Sequence, residues 1–354
     1  MGIVWPAPAA VALVIVHMAS SASGFDIFWN APTEMCHKHG FNFSQLGTNG
    51  IKQNVNDSFK GNRMVILYDP GLFPAILDSG DRNGGVPQEG NLDLHLRKFA
   101  TDLQEAIPSA DFDGVGVIDF EHWRPIWREN WSKLDIYRQR SKDIEKMKNP
   151  FASKSFIEKQ AISRFEKAAY AFIDASLSMA RQLRPKARWG YYAFPYCFNF
   201  TPKNNYMKCT VEVKEDNDRS YWMWKTGSAL FPSAYIHEKL LPDSKRAKMI
   251  EGRTAEGVRV AKKKNPPLPV YIYISYKYQD TGAFLSKTDL KNSIEIPRRQ
   301  GASGVVIWGS SKDTNSAQKC SKLNDYVDSA LLPIAGKAGK SGKQSSNDVL
   351  DWFQ

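Results

Sequence analysis

The sequence predicts an α/β protein that folds as a distorted, seven-stranded TIM-like (β/α) barrel. Two patterns indicate this fold: short, β-rich apolar segments recur along the chain, and amphipathic helical segments lie between them. The apolar segments are Phe25–Trp29, Met64–Tyr68, Gly114–Phe120, Trp189–Phe194, Ala229–Ile236, Pro269–Ser275 and Gly304–Trp308. Because these segments are almost continuously apolar, they are typical of parallel strands that are buried on both faces.

The same alternation of strand and helix also fits a second fold, an open doubly wound sheet. Such a sheet normally carries a glycine-rich phosphate loop after its first strand, and none follows Phe25–Trp29. The predicted helices are Leu92–Ile107, Phe156–Gln182, Lys245–Lys264, Lys287–Arg299 and Ser316–Leu332. Gly80–Gly90 is a loop by composition and follows the second strand, so it is a candidate for the rim of an active-site face.

Residues 24–334 are predicted to form one catalytic barrel domain with a short segment on either side. Residues 1–23 have the pattern of a signal peptide, because Val11–Val16 is apolar and small residues follow it. This apolar stretch is too short to span a bilayer, so we expect a secreted, extracellular protein without a membrane span. Residues 335–354 are rich in Gly, Lys and Ser near their start and are predicted to be a disordered basic tail.

Cysteines and glycosylation motifs agree with secretion. The chain has four cysteines, an even number, as expected for disulfides formed in an oxidising compartment. Cys197 and Cys209 are close in sequence and should pair locally, which leaves Cys36 to pair with Cys320. Asn-X-Ser/Thr motifs predict glycosylation at Asn42, Asn56, Asn130 and Asn199. The histidines do not lie at ligand spacing near the cysteines, so no metal site is expected.

The composition limits the class of partner. The formal net charge is +11, and a positive surface favours encounter with polyanions such as nucleic acid, anionic membranes or acidic polysaccharides. An equally good interpretation is a generally basic surface without a steering role. The chain also has ten Trp and fourteen Tyr, residues that offer a flat apolar face and a polar edge on which sugar rings stack.

Asp119 and Glu121 are the strongest candidates for catalysis. Asp119 lies near the end of the apolar segment Gly114–Phe120 and Glu121 directly follows it, and residues two apart on a strand point to the same side. In a closed barrel, the inward side at the carboxyl end of a strand is where active sites form. Two carboxyl groups held close together near apolar neighbours cannot both ionise freely, so one should keep the proton that a general acid needs. The alternative is a structural ion pair with Arg124 or Arg128.

Aromatic residues lie at other predicted strand ends. Tyr191 and Tyr192 fall in the segment Trp189–Phe194, Tyr235 is the second-last residue of Ala229–Ile236, and Trp308 ends Gly304–Trp308. One such residue is more often part of the core, but several at one end of a barrel would form a slot that fits a sugar ring. A carboxylate pair beside an aromatic-lined slot favours a glycosidase.

These residues lie in four motifs that resemble those of a known family. The motifs are Asp119-Phe-Glu-His-Trp-Arg-Pro125, Trp189-Gly-Tyr-Tyr-Ala-Phe-Pro-Tyr-Cys197, Asn83-Gly-Gly-Val-Pro-Gln88 and Val306-Ile-Trp-Gly-Ser-Ser311. Through them, and through its four cysteines, the chain resembles the hyaluronidases of glycoside hydrolase family 56, most closely the short, venom-type members from arthropods. The resemblance extends from about Phe25 to about Ile334.

The resemblance implies an endo-β-N-acetylhexosaminidase that hydrolyses β-1,4 linkages of hyaluronan. It implies a retaining mechanism in which the acetamido oxygen of the substrate attacks, so the protein supplies no nucleophile. Glu121 would then be the proton donor, and Asp119 would orient the acetamide N–H. Tyr192 and Tyr235 would position the acetamido group, and Trp308 would form the floor beneath the sugar. Since His122 points away from Glu121 on strand geometry, we expect it to tune activity only.

Further substrate-binding residues and partners follow from the same resemblance. The remaining candidates are Tyr68, Asp69, Arg124, Arg253 and Ser310. We expect a monomer that acts on hyaluronan, with chondroitin left open as a second substrate, and that needs no cofactor, metal or nucleic acid. The sequence leaves two rival functions open: a chitinase-like glycosidase, and a catalytically inactive relative that binds glycans. Retention of both Asp119 and Glu121 argues against the inactive relative.

Overall fold

A computed structural model describes residues 24–201 and 204–340. The predicted signal peptide, residues 1–23, lies outside the described residues, as do residues 341–354 of the predicted tail. Within the described part of the chain, parallel strands form a distorted (β/α) barrel with helices around it, as the sequence predicts.

The described residues contain nine strands, seven of which build the barrel. The strands are β1 (Asp26–Asn30), β2 (Met64–Tyr68), β3 (Ala75–Leu77), β4 (Gly80–Arg82), β5 (Val115–Asp119), β6 (Arg188–Ala193), β7 (Phe231–Pro232), β8 (Tyr271–Ser275) and β9 (Gly304–Trp308). Strands β3 and β4 pair with each other as an antiparallel hairpin outside the barrel. The prediction that Gly80–Gly90 is entirely loop is therefore wrong, because Gly80–Arg82 is a strand and Pro87–Glu89 is a turn of 3₁₀ helix.

The barrel strands form two parallel sheets in the orders β2-β5-β6-β7 and β1-β9-β8. Isolated bridges from Leu230 to Val270 and from Ser233 to Tyr273 join β7 to β8. On the other side, Lys52 pairs with β1, and the side chain of Asn54 binds the backbone of Met64 at the start of β2. The barrel is distorted because this segment, rather than a full strand, fills the space between β1 and β2.

Helices cover the outside of the barrel. The α-helices are α1 (Gln45–Thr48), α2 (Leu92–Ala106), α3 (Asp135–Lys148), α4 (Lys154–Leu183), α5 (Val211–Arg219), α6 (Tyr221–Thr226), α7 (Asp243–Ala261), α8 (Lys287–Arg299), α9 (Ala317–Tyr326) and α10 (Leu332–Lys340). Short 3₁₀ helices cover Thr33–His39, Val55–Asp57, Pro87–Glu89, Trp127–Glu129, Ser132–Leu134 and Ser311–Asp313, and Val327–Leu331 is a π-helix. Side-chain caps fix the first turn of several of them; for example, Ser153 accepts the backbone N–H of Phe156 at the start of α4.

Two apolar layers hold these elements together. Side chains that alternate along the strands fill the barrel interior, and Val115 and Val117 of β5 belong to this inner layer. Phe120 points outward and packs between Phe73 and Trp123 in the layer between strands and helices. Because Val115 and Val117 point inward, the side chain of Asp119 continues the same row at the carboxyl end of the barrel.

Two disulfides are present in the described residues, in the predicted pairing. Cys36–Cys320 joins the 3₁₀ helix Thr33–His39 to α9, across a separation of 284 residues. Cys197–Cys209 closes a short loop after β6, with a separation of 12 residues. The first bridge therefore ties the two ends of the barrel domain, and the second shapes a loop at the carboxyl ends of the strands.

The domain continues beyond the predicted boundary at residue 334. The prediction that the disordered tail begins at residue 335 is wrong, because α10 extends to Lys340. Ala335 is buried in the same apolar layer that contains Phe99 and Leu323, so burial holds this turn in the helix. Among the described residues, no helix is both long enough and apolar enough to cross a membrane.

Candidate active site

The predicted site residues come together at the carboxyl ends of the barrel strands. Asp119 ends β5 and pairs in register with Tyr68, the last residue of β2. Tyr192 and Trp308 lie at the ends of β6 and β9, and Tyr235 follows β7. The side chains of Tyr192, Tyr235 and Trp308 pack on the apolar interior of the barrel and form an aromatic wall of the cleft above it.

The two carboxyl groups lie in different surroundings. Burial, together with the nearby charges of Glu121 and Asp69, raises the pKa of Asp119 from 3.8 to about 7. Burial also raises the pKa of Glu121, although the positive charges of Arg124 and His122 oppose the rise. Among the described residues, neither carboxyl group accepts a hydrogen bond from the protein. Both groups therefore hold a proton more readily than a carboxyl group in water, as a general acid must.

Aromatic rings line the cleft beside these carboxyl groups. The ring centroids of Tyr192 and Tyr235 are 6.2 Å apart, and those of Tyr235 and Trp308 are 6.0 Å apart. The indole N–H of Trp308 donates a hydrogen bond of 2.8 Å to the hydroxyl of Tyr68. Burial raises the pKa of Tyr192 and of Tyr68, so both hydroxyl groups stay protonated near neutral pH. The wall thus combines flat apolar faces with phenolic hydrogen-bond donors.

A cavity of about 210 Å³ lies between these residues and the loops after β6 and β7. Its lining includes Glu121, Tyr192, Ser233 and Arg253. The hydroxyl groups of Tyr192 and Ser233 lie 3.4 Å apart. Arg253 donates to the backbone oxygen of Ser233 and to the side-chain oxygen of Asn199, both at 2.9 Å. Burial lowers the pKa of Arg253 to about 10, so it still carries a positive charge at neutral pH.

Arg124 also lines this cavity, on the side of Glu121. Its guanidinium lies 4.7 Å from the ring centre of Tyr196 and 5.0 Å from that of Phe198, and one N–H binds the backbone oxygen of Glu129. The aromatic contacts and the hydrogen bond fix the guanidinium near Glu121, and its charge opposes the rise in the pKa of that group.

Two other side chains hold the carboxylate of Asp69, one of the predicted substrate-binding residues. Arg82 of β4 binds both of its oxygens, at 2.5 and 2.9 Å, and His122 lies 3.1 Å from one of them. Burial alone would raise the pKa of Asp69, but the hydrogen bonds from His122 and Arg82 lower it below its ordinary value. The structure therefore uses Asp69 to connect the ends of β2 and β5 to the outer hairpin.

Ser310 lies in the loop after Trp308, where its side chain accepts the backbone N–H of Lys312. The same loop is held by Asp313, which accepts hydrogen bonds from Tyr276 at 3.1 Å and Lys277 at 2.6 Å. Gly309 packs directly on Tyr276, and a Cβ at this position would lie 2.2 Å from the tyrosine hydroxyl. These contacts set the position of Trp308 and Ser310 relative to the carboxyl groups.

Two of the four predicted glycosylation sites have buried side chains in the folded chain. The side-chain nitrogen of Asn130 is buried and donates to the backbone oxygens of Arg124 and Ile126. That of Asn199 is buried as well and binds two backbone oxygens, including that of Met249. A glycan on either nitrogen would remove hydrogen bonds that this nitrogen donates in the folded chain. Asn42 and Asn56 are exposed and stay candidates.

Several residues that shape the site had no signal in the sequence. Ser233 and Asn199 act through Tyr192 and Arg253, and Arg82 acts through Asp69. Each of these contacts joins residues far apart along the chain, so local sequence pattern could not reveal them.

No cluster of three or more His, Cys, Asp or Glu within 24–201 and 204–340 is arranged to hold a metal ion. The aromatic rings, hydroxyl groups and carboxyl groups of the cleft can together bind a sugar ring, hold its substituents and move a proton.

Comparison with known proteins gives one consistent result. The family model described as hyaluronidase, of glycoside hydrolase family 56, matches residues 16–349. A hyaluronidase of Vespa magnifica is 43% identical over 317 residues, which is 88% of this chain and 88% of that protein. A hyaluronidase of Apis mellifera is 41% identical over 92% of this chain and 87% of that protein. A crystal structure of bee venom hyaluronidase in complex with a hyaluronic acid tetramer is 40% identical, with a TM-score of 0.86, and covers 89% of this chain and 99% of that one.

Proposed function

Because the chain belongs to the hyaluronidase family, glycoside hydrolase family 56, we propose that it cleaves hyaluronan with Glu121 as the proton donor and without a protein nucleophile. The chain is a hyaluronidase, a glycoside hydrolase that acts on hyaluronan. The observation that supports the assignment of Glu121 is its position beside Asp119 at the end of β5, next to the aromatic wall.

The proposed first step forms a ring on the substrate itself. Glu121, which keeps a proton because burial raises its pKa, gives this proton to the oxygen of the scissile bond. At the same time the acetamido oxygen of the N-acetylglucosamine unit attacks the anomeric carbon, and the bond to the leaving sugar breaks. Asp119 accepts a hydrogen bond from the acetamide N–H and holds the group in line for attack.

The second step restores the enzyme. Glu121, now ionised, removes a proton from water, and the water oxygen attacks the anomeric carbon and opens the ring on the acetamido group. Two attacks from opposite sides leave the anomeric configuration unchanged. The positive charge that develops on the acetamido group in both steps lies beside Asp119, and the hydrogen bond that Asp119 accepts from the acetamide N–H stabilises this charge. The hydroxyl groups of Tyr192 and Tyr235 and the ring of Trp308 keep the acetamido group and the sugar in place.

The positive side chains at the cleft suit an acidic polysaccharide. Hyaluronan carries one carboxylate in each disaccharide, and Arg124 and Arg253 both line the cavity beside Glu121. Chondroitin has the same alternation of uronic acid and N-acetylhexosamine, so we propose it as a second, poorer substrate. Activity on hyaluronan and chondroitin, but not on chitin oligomers, is the expected pattern, and cleavage of chitin would instead favour a chitinase-like enzyme.

We further propose that the protein acts outside the cell as a monomer. The two disulfides and the exposed side chains of Asn42 and Asn56 support an oxidising, secretory route. Secretion from a eukaryotic host should give a protein whose mass falls after glycosidase treatment. Replacing both Asn42 and Asn56 by Gln should remove this fall in mass if Asn130 and Asn199 carry no glycan.

The decisive experiment is analysis of the products from hyaluronan. We expect saturated, even-numbered oligosaccharides with N-acetylglucosamine at the reducing end, initially in the β-configuration by proton NMR. Unsaturated products would mean a lyase, and initial α-anomers would exclude a retaining mechanism. A protein that binds hyaluronan but leaves its chain length unchanged would be an inactive glycan-binding relative.

A further inference from the structure

The hairpin of α3 and α4 ends in a tip with exposed apolar side chains. Phe151, in the turn between the two helices, is fully exposed, and Met147 is 74% exposed. Phe156, in the first turn of α4, is 43% exposed. Scattered apolar residues on a surface are ordinary, but three large ones in one short segment form a patch that is unfavourable in water.

The same tip is positively charged. From residue 146 to residue 156 the chain contains three lysines and no aspartate or glutamate. Lys148 binds Glu89 at 2.8 Å, whereas Lys146 and Lys154 form no ion pair with any residue that the structure describes. The nearest acidic residue of α3, Glu145, is buried and paired with Arg164, so it does not offset these charges at the surface.

The tip projects from the side of the barrel that carries the cleft. Phe165 of α4 packs on Trp123 and Trp127, which follow β5 at its carboxyl end. At the other end of α4, Arg184 binds the backbone of Ile107, which precedes β5. From Phe165 back to Lys154, the helix therefore extends about 16 Å away from the barrel, at roughly 1.5 Å per residue, on the carboxyl-end side.

We propose that this tip, residues 146–156, binds the surface of anionic lipid bilayers. Phe151 and Met147 would enter the boundary between headgroups and acyl chains, while Lys146 and Lys154 would contact anionic headgroups. A second copy of the chain is a poorer partner, because symmetric contact would bring the lysines of two tips together. Binding in this way turns the face with the cleft toward the membrane, where cell-surface polysaccharide is anchored.

The test is co-sedimentation of the purified protein with vesicles. Vesicles with about 30% phosphatidylserine in phosphatidylcholine should bind the protein, pure phosphatidylcholine should not, and binding should weaken in high salt. Phe151→Ser should weaken binding by roughly tenfold or more. A double change of Lys146 and Lys154 to Gln should weaken it by about fivefold for each lysine. Hydrolysis of soluble hyaluronan should be unchanged in all of these variants, which also shows that they fold.

Leu240→Ser is the matched control. Leu240 is 76% exposed, but Glu238 and Asp243 lie close to it in the sequence, so its surroundings lack the surplus of positive charge. Its removal should leave vesicle binding unchanged. The proposal is overturned if Phe151→Ser binds as well as the unchanged protein, or if both vesicle types bind equally. It is also overturned if sedimentation shows a dimer that Phe151→Ser dissociates, because the tip would then join two copies of the chain.

Discussion

At the scale of single residues, Asp119 and Glu121 differ although they are two positions apart. Asp119 is the more enclosed, and two neighbouring carboxyl groups add to the effect of burial on its pKa. Glu121 is exposed to the cleft and lies near the positive charges of Arg124 and His122. This difference fits a mobile proton on Glu121 and a fixed, substrate-orienting role for Asp119.

Glu121→Gln should abolish turnover and leave hyaluronan binding largely intact. Glutamine keeps the size and hydrogen-bonding capacity of the side chain but has no proton to transfer. We expect kcat to fall by about a hundredfold to ten-thousandfold, the range typical for loss of a general acid–base residue. The measurement is kcat alongside hyaluronan affinity by titration. Near-normal turnover would show that another residue is the acid.

Asp119→Asn should stabilise the folded protein at pH 8 and have little effect at pH 4. Because the pKa of Asp119 is raised from 3.8 to about 7 on folding, the folded state favours the protonated form. The wild-type protein therefore loses stability as the pH rises through this interval, whereas asparagine does not titrate. We expect a gain on the order of 2 kcal/mol at pH 8, measured by urea unfolding at both pH values. An equal gain at both pH values would contradict this origin.

His122→Gln should move the alkaline limb of the pH–rate profile to higher pH. The charge of His122 lowers the pKa of Glu121, so its removal lets that pKa rise and keeps the acid protonated further into the alkaline range. Glutamine can still donate a hydrogen bond to Asp69, which preserves the contact to Arg82. A general loss of kcat without a shift of the profile would indicate a structural role instead.

At the scale of the elements, close packing between neighbouring strands sets the cleft. Gly116 of β5 pairs in register with Trp189 of β6, and a Cβ on Gly116 would lie 2.4 Å from the indole ring. The glycine lets the indole pack against β5 on its outward face, opposite the face that carries Asp119. The packing of Trp189 thus helps to hold β5 against β6, the two strands that carry Asp119 and Tyr192.

Gly116→Ala should destabilise the protein by about 1–3 kcal/mol, because the added methyl group overlaps a buried ring that has no room to move. The measurement is the free energy of unfolding in urea. Gly47→Ala is the control, since a Cβ at Gly47 makes only ordinary contacts at 3.8 Å and beyond. If both changes have the same small effect, the contact with Trp189 does not constrain the barrel.

At the scale of the whole molecule, the two disulfides differ in the length of chain that they close. Cys36–Cys320 spans 284 residues and Cys197–Cys209 spans 12. A longer closed loop restricts the unfolded chain more, so the loss of the first bridge should cost about 5 kcal/mol and that of the second about 3 kcal/mol. Paired Cys→Ser variants and thermal unfolding test this order. The reverse order would mean that strain in the native state outweighs chain entropy.

The sequence alone determined the architecture and placed the candidate carboxyl pair on one face of a strand. Continuous apolar segments of strand length and helical periodicity are local properties, so they predict seven barrel strands and their helices without any knowledge of long-range contacts. Asp119 and Glu121 could be placed on one face for the same reason, because the two-residue period of a strand is fixed by its backbone. The cysteine pairing followed from the short spacing of Cys197 and Cys209.

Only the tertiary structure decided how the site is supported and where the domain ends. Ser233, Asn199 and Arg82 act through contacts that join distant parts of the chain, and no local pattern encodes such contacts. Burial of Asn130 and Asn199 depends in the same way on loops that fold around them, so their sequence motifs give no sign of it. The different environments of Asp119 and Glu121 also arise from neighbours brought together by folding, because a pKa depends on surrounding charge and solvent.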